Sequence, residues 1–79
     1  MENGQRLRRL REVAGITQGV LSERMGYPRQ KELCLRETGE RTMTSADFLR
    51  GVAALDALVA ERNAAWVEAR YVQDGEAAS

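Results

Sequence analysis

Glycines divide this chain into three short helical segments and one long one. Gly15, Gly26 and Gly39 each follow a stretch of residues that favour helix. Glycine adopts the left-handed conformation at a helix C-terminus without a steric penalty, so each of them is predicted to end a helix. Residues 46–71 contain no proline, and Gly51 is their only glycine. The pattern predicts an all-α fold, a compact bundle of four to five helices with a long C-terminal helix.

Apolar spacing and a capping residue place the first two helices. The first is predicted over residues 4–13. Its buried face is expected to consist of Leu7, Leu10 and Ala14. Thr17 is expected to cap a second helix over residues 18–25, because its hydroxyl can accept a hydrogen bond from an N–H of the first turn. The buried positions of that helix are predicted to be Val20, Leu21 and Met25.

Pro28 indicates where the third helix begins. Proline is tolerated at the first helical position, where its missing N–H would have no partner, so this helix is predicted over residues 28–37. Residues 40–43 are expected to form a loop. Either Thr44 or Ser45 is then expected to cap the C-terminal segment.

The C-terminal segment carries apolar residues at alternating steps of four and three, which is how two helices bury a shared seam. It is predicted either to run unbroken to about Tyr71 or to break near Asp56 into two helices. The first members of the stripe, Phe48, Val52 and Leu55, are expected to pack on the three short helices, with Leu55 also counted toward the dimer seam. The later members are expected to meet a second copy of the chain. The predicted dimer interface consists of Leu55, Val59, Arg62, Trp66 and Ala69.

Composition supports the dimer and argues against catalysis. The chain has 79 residues, a single cysteine (Cys34) and no histidine, so it can form neither an internal disulfide nor a cysteine–histidine metal site. A second copy is the remaining source of buried area for so small a domain. The acidic residues and Cys34 show no pairing suited to acid–base or nucleophilic chemistry. We therefore expect neither an enzyme, nor a cofactor, nor a small-molecule substrate.

Targeting signals are also missing from the sequence. No apolar run of about 18 residues predicts a membrane span, so no membrane partner is expected. The first six residues lack the apolar core of a signal peptide. Together with the free thiol, these features predict a cytoplasmic protein.

Charge is distributed unevenly along the chain although the net charge is zero. Residues 1–43 contain nine basic and six acidic residues, a net charge of +3. Residues 44–79 contain three basic and six acidic residues, a net charge of −3. A local basic face can meet phosphate while the rest of the molecule stays neutral. The imbalance is compatible with nucleic-acid binding by the N-terminal half, and equally with an ordinary solvated surface.

Four short motifs follow one another within residues 4–43. They are Gly4-Gln5-Arg6-Leu7-Arg8-Arg9-Leu10-Arg11-Glu12, Gly15-Ile16-Thr17-Gln18, Leu21-Ser22-Glu23-Arg24-Met25-Gly26 and Glu37-Thr38-Gly39-Glu40-Arg41. In this order, and almost at this spacing, the chain resembles the Cro/C1-type (XRE) helix-turn-helix family of DNA-binding proteins over about residues 4–55. The resemblance implies a lambda-repressor-like bundle. It implies a helix-turn-helix domain over residues 1–55. The apolar stripe predicts a dimerisation helix over 56–72, and the polar, small-residue-rich stretch 73–79 is expected to fray.

The resemblance also implies how the chain would bind double-stranded DNA. In this architecture the third helix enters the major groove, and its first side chains meet base edges. The implied base-reading residues are Arg29, Gln30, Lys31, Cys34 and Leu35. The implied phosphate contacts are Gln18, Thr17, Arg6, Arg41 and Thr42. Arg11 and Glu37 match a charged pair that in this family ties the first helix to the end of the third.

One departure from the family pattern affects the third helix. Twelve residues separate the second and third helix-ending glycines, where the family usually has eleven. Counting back from the third glycine puts the buried positions on Leu33 and Arg36. Counting forward from the second puts them on Glu32 and Leu35. Both registers remain open at this point.

The implied function is a sequence-specific transcriptional regulator. It would act as a repressor or autoregulator that binds an inverted-repeat operator as a homodimer. Small proteins of this kind serve phage or other mobile elements, restriction–modification, anti-CRISPR-associated and toxin–antitoxin systems. Two alternatives keep the fold without operator binding. One is an antitoxin, which usually needs a segment that wraps its toxin; residues 73–79 are the only candidate for it and are short. The other is a protein-interaction adaptor, which the zero net charge favours.

Overall fold

The computed structural model describes the backbone of residues 2–78 and the side chains of residues 2–71. Four helices follow one another, with no strand in residues 2–78. They are α1 (Asn3–Ala14), α2 (Gln18–Met25), α3 (Gln30–Thr38) and α4 (Ser45–Ala78). The all-α fold with a long C-terminal helix is therefore confirmed.

The C-terminal ends of the short helices and the start of α2 lie where local chemistry predicts them. Gly15, Gly26 and Gly39 follow α1, α2 and α3 with φ angles of 72°, 85° and 87°. Only glycine adopts these angles without strain. Thr17 caps α2, since its Oγ1 accepts a hydrogen bond from the Val20 N–H at 3.2 Å.

Thr44, rather than Ser45, lies at the start of α4. Its Oγ1 accepts a hydrogen bond from the Asp47 N–H at 3.1 Å. The Asp47 carboxylate sits in the first turn, where it favours the positive end of the helix dipole.

The third helix starts later than predicted. It begins at Gln30, so Pro28 is not its first residue, and Arg29 precedes it with extended backbone angles (φ −142°, ψ 145°). Tyr27 supplies the reason. Its ring lies 4.8 Å from the guanidinium carbon of Arg36 on α3, which holds the incoming chain against that helix. Pro28 and Arg29 are left to form the turn.

α4 is one continuous helix, so the alternative break near Asp56 does not occur. Its 34 residues span about 51 Å at the usual helical rise. This accounts for most of the 56 Å length of the molecule. The backbone of the segment predicted to fray continues α4 as far as Ala78, whereas the side chains of residues 72–79 lie outside the described residues. No helix in the described part of the chain is both long and apolar enough to cross a membrane.

The core lies between the first half of α4 and the three short helices. Its buried residues are Leu7, Leu21, Met25, Leu33, Met43, Ala54 and Leu55. Two residues predicted to be buried are not, because Leu10 is 44% and Val20 is 45% exposed. Leu10 lies in an open groove between α1 and α4. Val20 lies on the outer side of α2, beside Leu58.

Helix α1 packs unusually close to its neighbours. A Cβ atom at Gly4 would collide with the carbonyl oxygen of Arg36, at the end of α3. A Cβ atom at Gly51 would meet the Leu7 side chain where α1 crosses α4. The two glycines therefore allow the close approach that fixes α3 relative to α1 and α4.

Candidate nucleic-acid interface

A buried ion pair holds α1 against the end of α3. Arg11 donates two hydrogen bonds to the Glu37 carboxylate, from Nε at 2.9 Å and from Nη2 at 3.0 Å. Its Nη1 donates a third to the Ile16 carbonyl at 3.0 Å, in the turn before α2. The side chain of Glu37 is fully enclosed, and its hydrogen bond to Arg11 raises the pKa of the guanidinium above its ordinary value. The structure thus contains the pair that the resemblance implied, and the pair joins three elements.

The same carboxylate positions two glutamines. Gln18, at the start of α2, donates from Nε2 to Glu37 Oε1 at 2.9 Å. Gln30, at the start of α3, donates from Nε2 to Gln18 Oε1 at 3.1 Å. A chain of hydrogen bonds therefore runs from the buried pair to the exposed start of α3. The sequence indicated a phosphate role for Gln18 and a base-reading role for Gln30, but it carried no signal that the two side chains touch.

The start of α3 presents a row of exposed polar side chains. Arg29, Gln30 and Lys31 are all exposed. One turn later, Cys34 and Leu35 are half-buried. Within the described residues neither Arg29 nor Lys31 makes an ion pair, although the acidic residues Glu32 and Glu40 line the same cleft.

The predicted phosphate contacts are not all in one place. Arg41 shares a shallow cleft with Arg29 and Lys31, beside Leu35. Thr42 is exposed in the loop between α3 and α4. Arg6 lies elsewhere, with its guanidinium 4.7 Å from the centre of the Phe48 ring. Thr17 uses its hydroxyl to cap α2, as described above.

Glu32 is a member of this surface that the sequence did not single out for binding. Its Oε2 accepts hydrogen bonds from Arg41 Nη1 at 2.6 Å and from Arg36 Nη1 at 3.1 Å. The Arg36 hydrogen bond is the main cause that lowers the pKa of the Glu32 carboxyl, and the nearby charges of Arg41, Arg36 and Arg29 add to it. Glu32 therefore stays ionised and holds Arg41 close to the start of α3.

The same contacts decide the register of α3. Leu33 is fully buried, which matches the count back from the glycine that ends the helix. Arg36 occupies the other inward position: its guanidinium carbon lies 4.8 Å from the centre of the Tyr27 ring and its Nη1 donates to Glu32, whereas its Nε is buried without a partner in the described residues. An arginine at this position is therefore compatible with the fold.

The predicted dimer residues divide into two groups. Leu55 is only 5% exposed and packs in the core of its own chain. Arg62 donates from Nη1 to the Ala14 carbonyl at 2.7 Å, at the end of α1. Both side chains are thus engaged within the chain, because α1 packs along that side of α4. Val59 is half-buried, whereas Trp66 and Ala69 are exposed.

No protein-family model, curated protein or solved structure matches this chain. What the protein binds must therefore be inferred from the surface that α2 and α3 share. That surface combines exposed hydrogen-bonding groups, basic side chains and a rigid support in the Arg11–Glu37 pair.

Proposed function

We propose that this protein is a sequence-specific DNA-binding regulator of transcription that places the start of α3 in the major groove. The observation that carries the proposal is the exposed row of Arg29, Gln30 and Lys31, supported from below by the buried Arg11–Glu37 pair. Base recognition needs hydrogen-bonding groups held at fixed positions on a rigid element. The resemblance to the Cro/C1-type (XRE) family supports the same assignment.

The chemistry of these side chains fits base edges and phosphates. Arginine can donate two hydrogen bonds to guanine. Glutamine can donate from its amide nitrogen to adenine and accept with its amide oxygen. Gln30 is well suited to that role, because its contact with Gln18 restricts the rotation of its amide. Lys31 and Arg41 flank this site and would contact phosphate, and Leu35 would touch a thymine methyl group.

We propose that the protein acts as a homodimer on an inverted repeat. A single unit offers few contacts to DNA. Two copies related by a two-fold axis would place their α3 helices about 34 Å apart, one turn of the double helix. Such a dimer on its own promoter would act as a repressor or autoregulator.

The proposal is tested by selecting binding sites from a random duplex library and measuring affinity for the selected site at several salt concentrations. We expect an inverted-repeat motif, and an affinity that falls linearly as the logarithm of the salt concentration rises. Lys31→Ala should weaken binding to all duplexes and reduce the salt slope by about 1. Gln30→Ala should instead relax the sequence preference at one base pair in each half-site.

Arg8→Ala is the matched control. Arg8 is an exposed arginine on α1 that pairs with Glu12, so the variant loses a positive charge away from α3. It should leave affinity and sequence preference almost unchanged. If no motif is enriched and the affinity of every duplex is insensitive to salt, DNA is not the partner and the adaptor alternative is preferred.

A further inference from the structure

We propose that a second copy of this chain packs antiparallel along the outer face of α4, with the two Asn63 residues meeting at the two-fold axis. The inference rests on the homodimer in the proposed function and specifies how it forms. Pairing can be measured without DNA. If the chain does not pair in this way, the result can therefore be told apart from a loss of DNA binding.

The first observation is an open apolar groove between α1 and α4. Leu10, Val52, Val59 and Ala60 line it, together with Asp56 and Asn63. The groove encloses about 340 Å³ and is open to solvent. Because no other helix of the described chain covers it, Leu10 is left nearly half exposed. Apolar surface of this kind is stabilised when a second surface removes it from water.

The second observation is the unsupported end of α4. All residues from 60 to 71 are exposed. Trp66 is 66% exposed, although tryptophan is the side chain that gains most from burial. Isolated helical segments of this length are marginal in water unless another surface packs on them. Trp66 lies three residues after Asn63 and Arg70 four residues after Trp66, so this end of α4 continues the face that lines the groove.

The third observation is that this face of α4 is complementary to the same face of a second α4 that runs in the opposite direction. Asp56 lies seven residues before Asn63, and Arg70 lies seven residues after it. An antiparallel pair centred on Asn63 therefore sets each Asp56 against the Arg70 of the other copy. Within the described residues neither side chain has an ion-pair partner in its own chain. A parallel pair would instead set like charges against each other.

The apolar positions match in the same register. Val59 and Val67 lie four residues to either side of Asn63, and Ala60 and Trp66 lie three. Each Trp66 would therefore cover the end of the other copy's groove, where a small alanine leaves room. The central amides can each donate to and accept from the other, which suits a residue that meets its own copy. Charge, size and hydrogen bonding thus favour one occupant, a second copy of this chain.

Charge reversal tests this register. Sedimentation equilibrium without DNA should show a dimer for the native chain. Asp56→Arg and Arg70→Asp should each raise its dissociation constant by about tenfold or more, because each places like charges together. The double variant, which exchanges the two charges, should bring the dissociation constant back toward the native value. All of these side chains are exposed, so circular dichroism should show unchanged helix content.

Glu68→Arg is the matched control. It makes the same charge change as Asp56→Arg on an exposed side chain about 140° around the helix from Asn63. Dimerisation should persist in this variant. A native chain that is monomeric at every concentration would overturn the proposal. Single variants that dimerise normally, or a double variant that dimerises no better than the singles, would also overturn it.

A cysteine cross-link measures the centre of the pair directly. In a Cys34→Ser background, Asn63→Cys should form an intermolecular disulfide on mild oxidation, because residues on the two-fold axis lie within the Cα separation of about 7 Å that a disulfide needs. Glu68→Cys in the same background should not. Equal cross-linking at both positions, or none at Asn63→Cys, contradicts the proposed axis.

Discussion

At the scale of single residues, two carboxylates each accept hydrogen bonds from two different side chains. Glu37 accepts hydrogen bonds from both Arg11 and Gln18, and Glu32 accepts from both Arg36 and Arg41. Both carboxylates sit on α3, so they attach the proposed reading helix to α1, to α2 and to the loop that follows. Tyr27 differs from them, since its hydroxyl is buried and has no hydrogen-bond partner in the described residues.

This orphan hydroxyl leads to a prediction about stability. Burial raises the pKa of Tyr27 and leaves its O–H unsatisfied, while the ring is held under Arg36. Tyr27→Phe keeps the ring and removes the hydroxyl, so the free energy of unfolding should rise by about 1 kcal/mol. Urea denaturation followed by circular dichroism measures it. Tyr27→Leu is the control and should be destabilising, because it removes the ring as well. A less stable phenylalanine variant would mean that the hydroxyl has a partner.

At the scale of the elements, α3 is held by ion pairs at its exposed side as well as by its buried face. Glu32 links α3 to Arg41 in the loop before α4. The pKa of Glu32 lies below the ordinary 4.5 in the folded chain, chiefly because Arg36 donates a hydrogen bond to it. A carboxyl with a depressed pKa stabilises the fold where it is ionised, and this contribution disappears as the pH falls through its folded-state pKa.

The unfolding free energy of the native chain should therefore depend on pH, and the Glu32→Gln substitution should weaken that dependence. Near neutral pH the variant should be less stable than the native chain. The difference should shrink as the pH is lowered below 4.5, since the native carboxyl then becomes protonated. Urea titrations at a series of pH values measure both effects. Glu23→Gln is the control, because it removes a negative charge at an exposed acid without an ion pair in the described residues and should leave the stability near neutral pH almost unchanged. A constant difference at all pH values would contradict the role of Glu32.

At the scale of the whole molecule, close packing of α1 sets where the other helices lie. Gly4 lets α1 approach the last turn of α3, and Gly51 lets it approach α4. The first half of α4 completes this core. The second half extends beyond it with exposed side chains, and the surface proposed for a second copy lies there.

Gly4→Ala should disrupt this packing. The added Cβ would collide with the Arg36 backbone carbonyl, which cannot move without displacing α3. We expect the free energy of unfolding to fall by about 3 kcal/mol, the upper range for overpacked sites, with a lower melting temperature by scanning calorimetry. In Gly19→Ala the new methyl group meets only the flexible end of the Gln30 side chain, so this control should be tolerated. Equal stability of the two variants would mean that α1 and α3 are not in close contact.

The sequence by itself determined the ends of the helices, because a left-handed glycine or a capping threonine acts on the backbone beside it. Gly15, Gly26, Gly39 and Thr17 were readable in this way, whereas the sequence left open whether α4 breaks near Asp56 and placed the start of α3 two residues too early. Only the tertiary structure decided which faces are covered. Leu10 stays exposed, and Arg36 occupies an inward position by lying on Tyr27. Which face of a helix is covered depends on elements that pack against it from elsewhere in the chain, and no local pattern encodes their position.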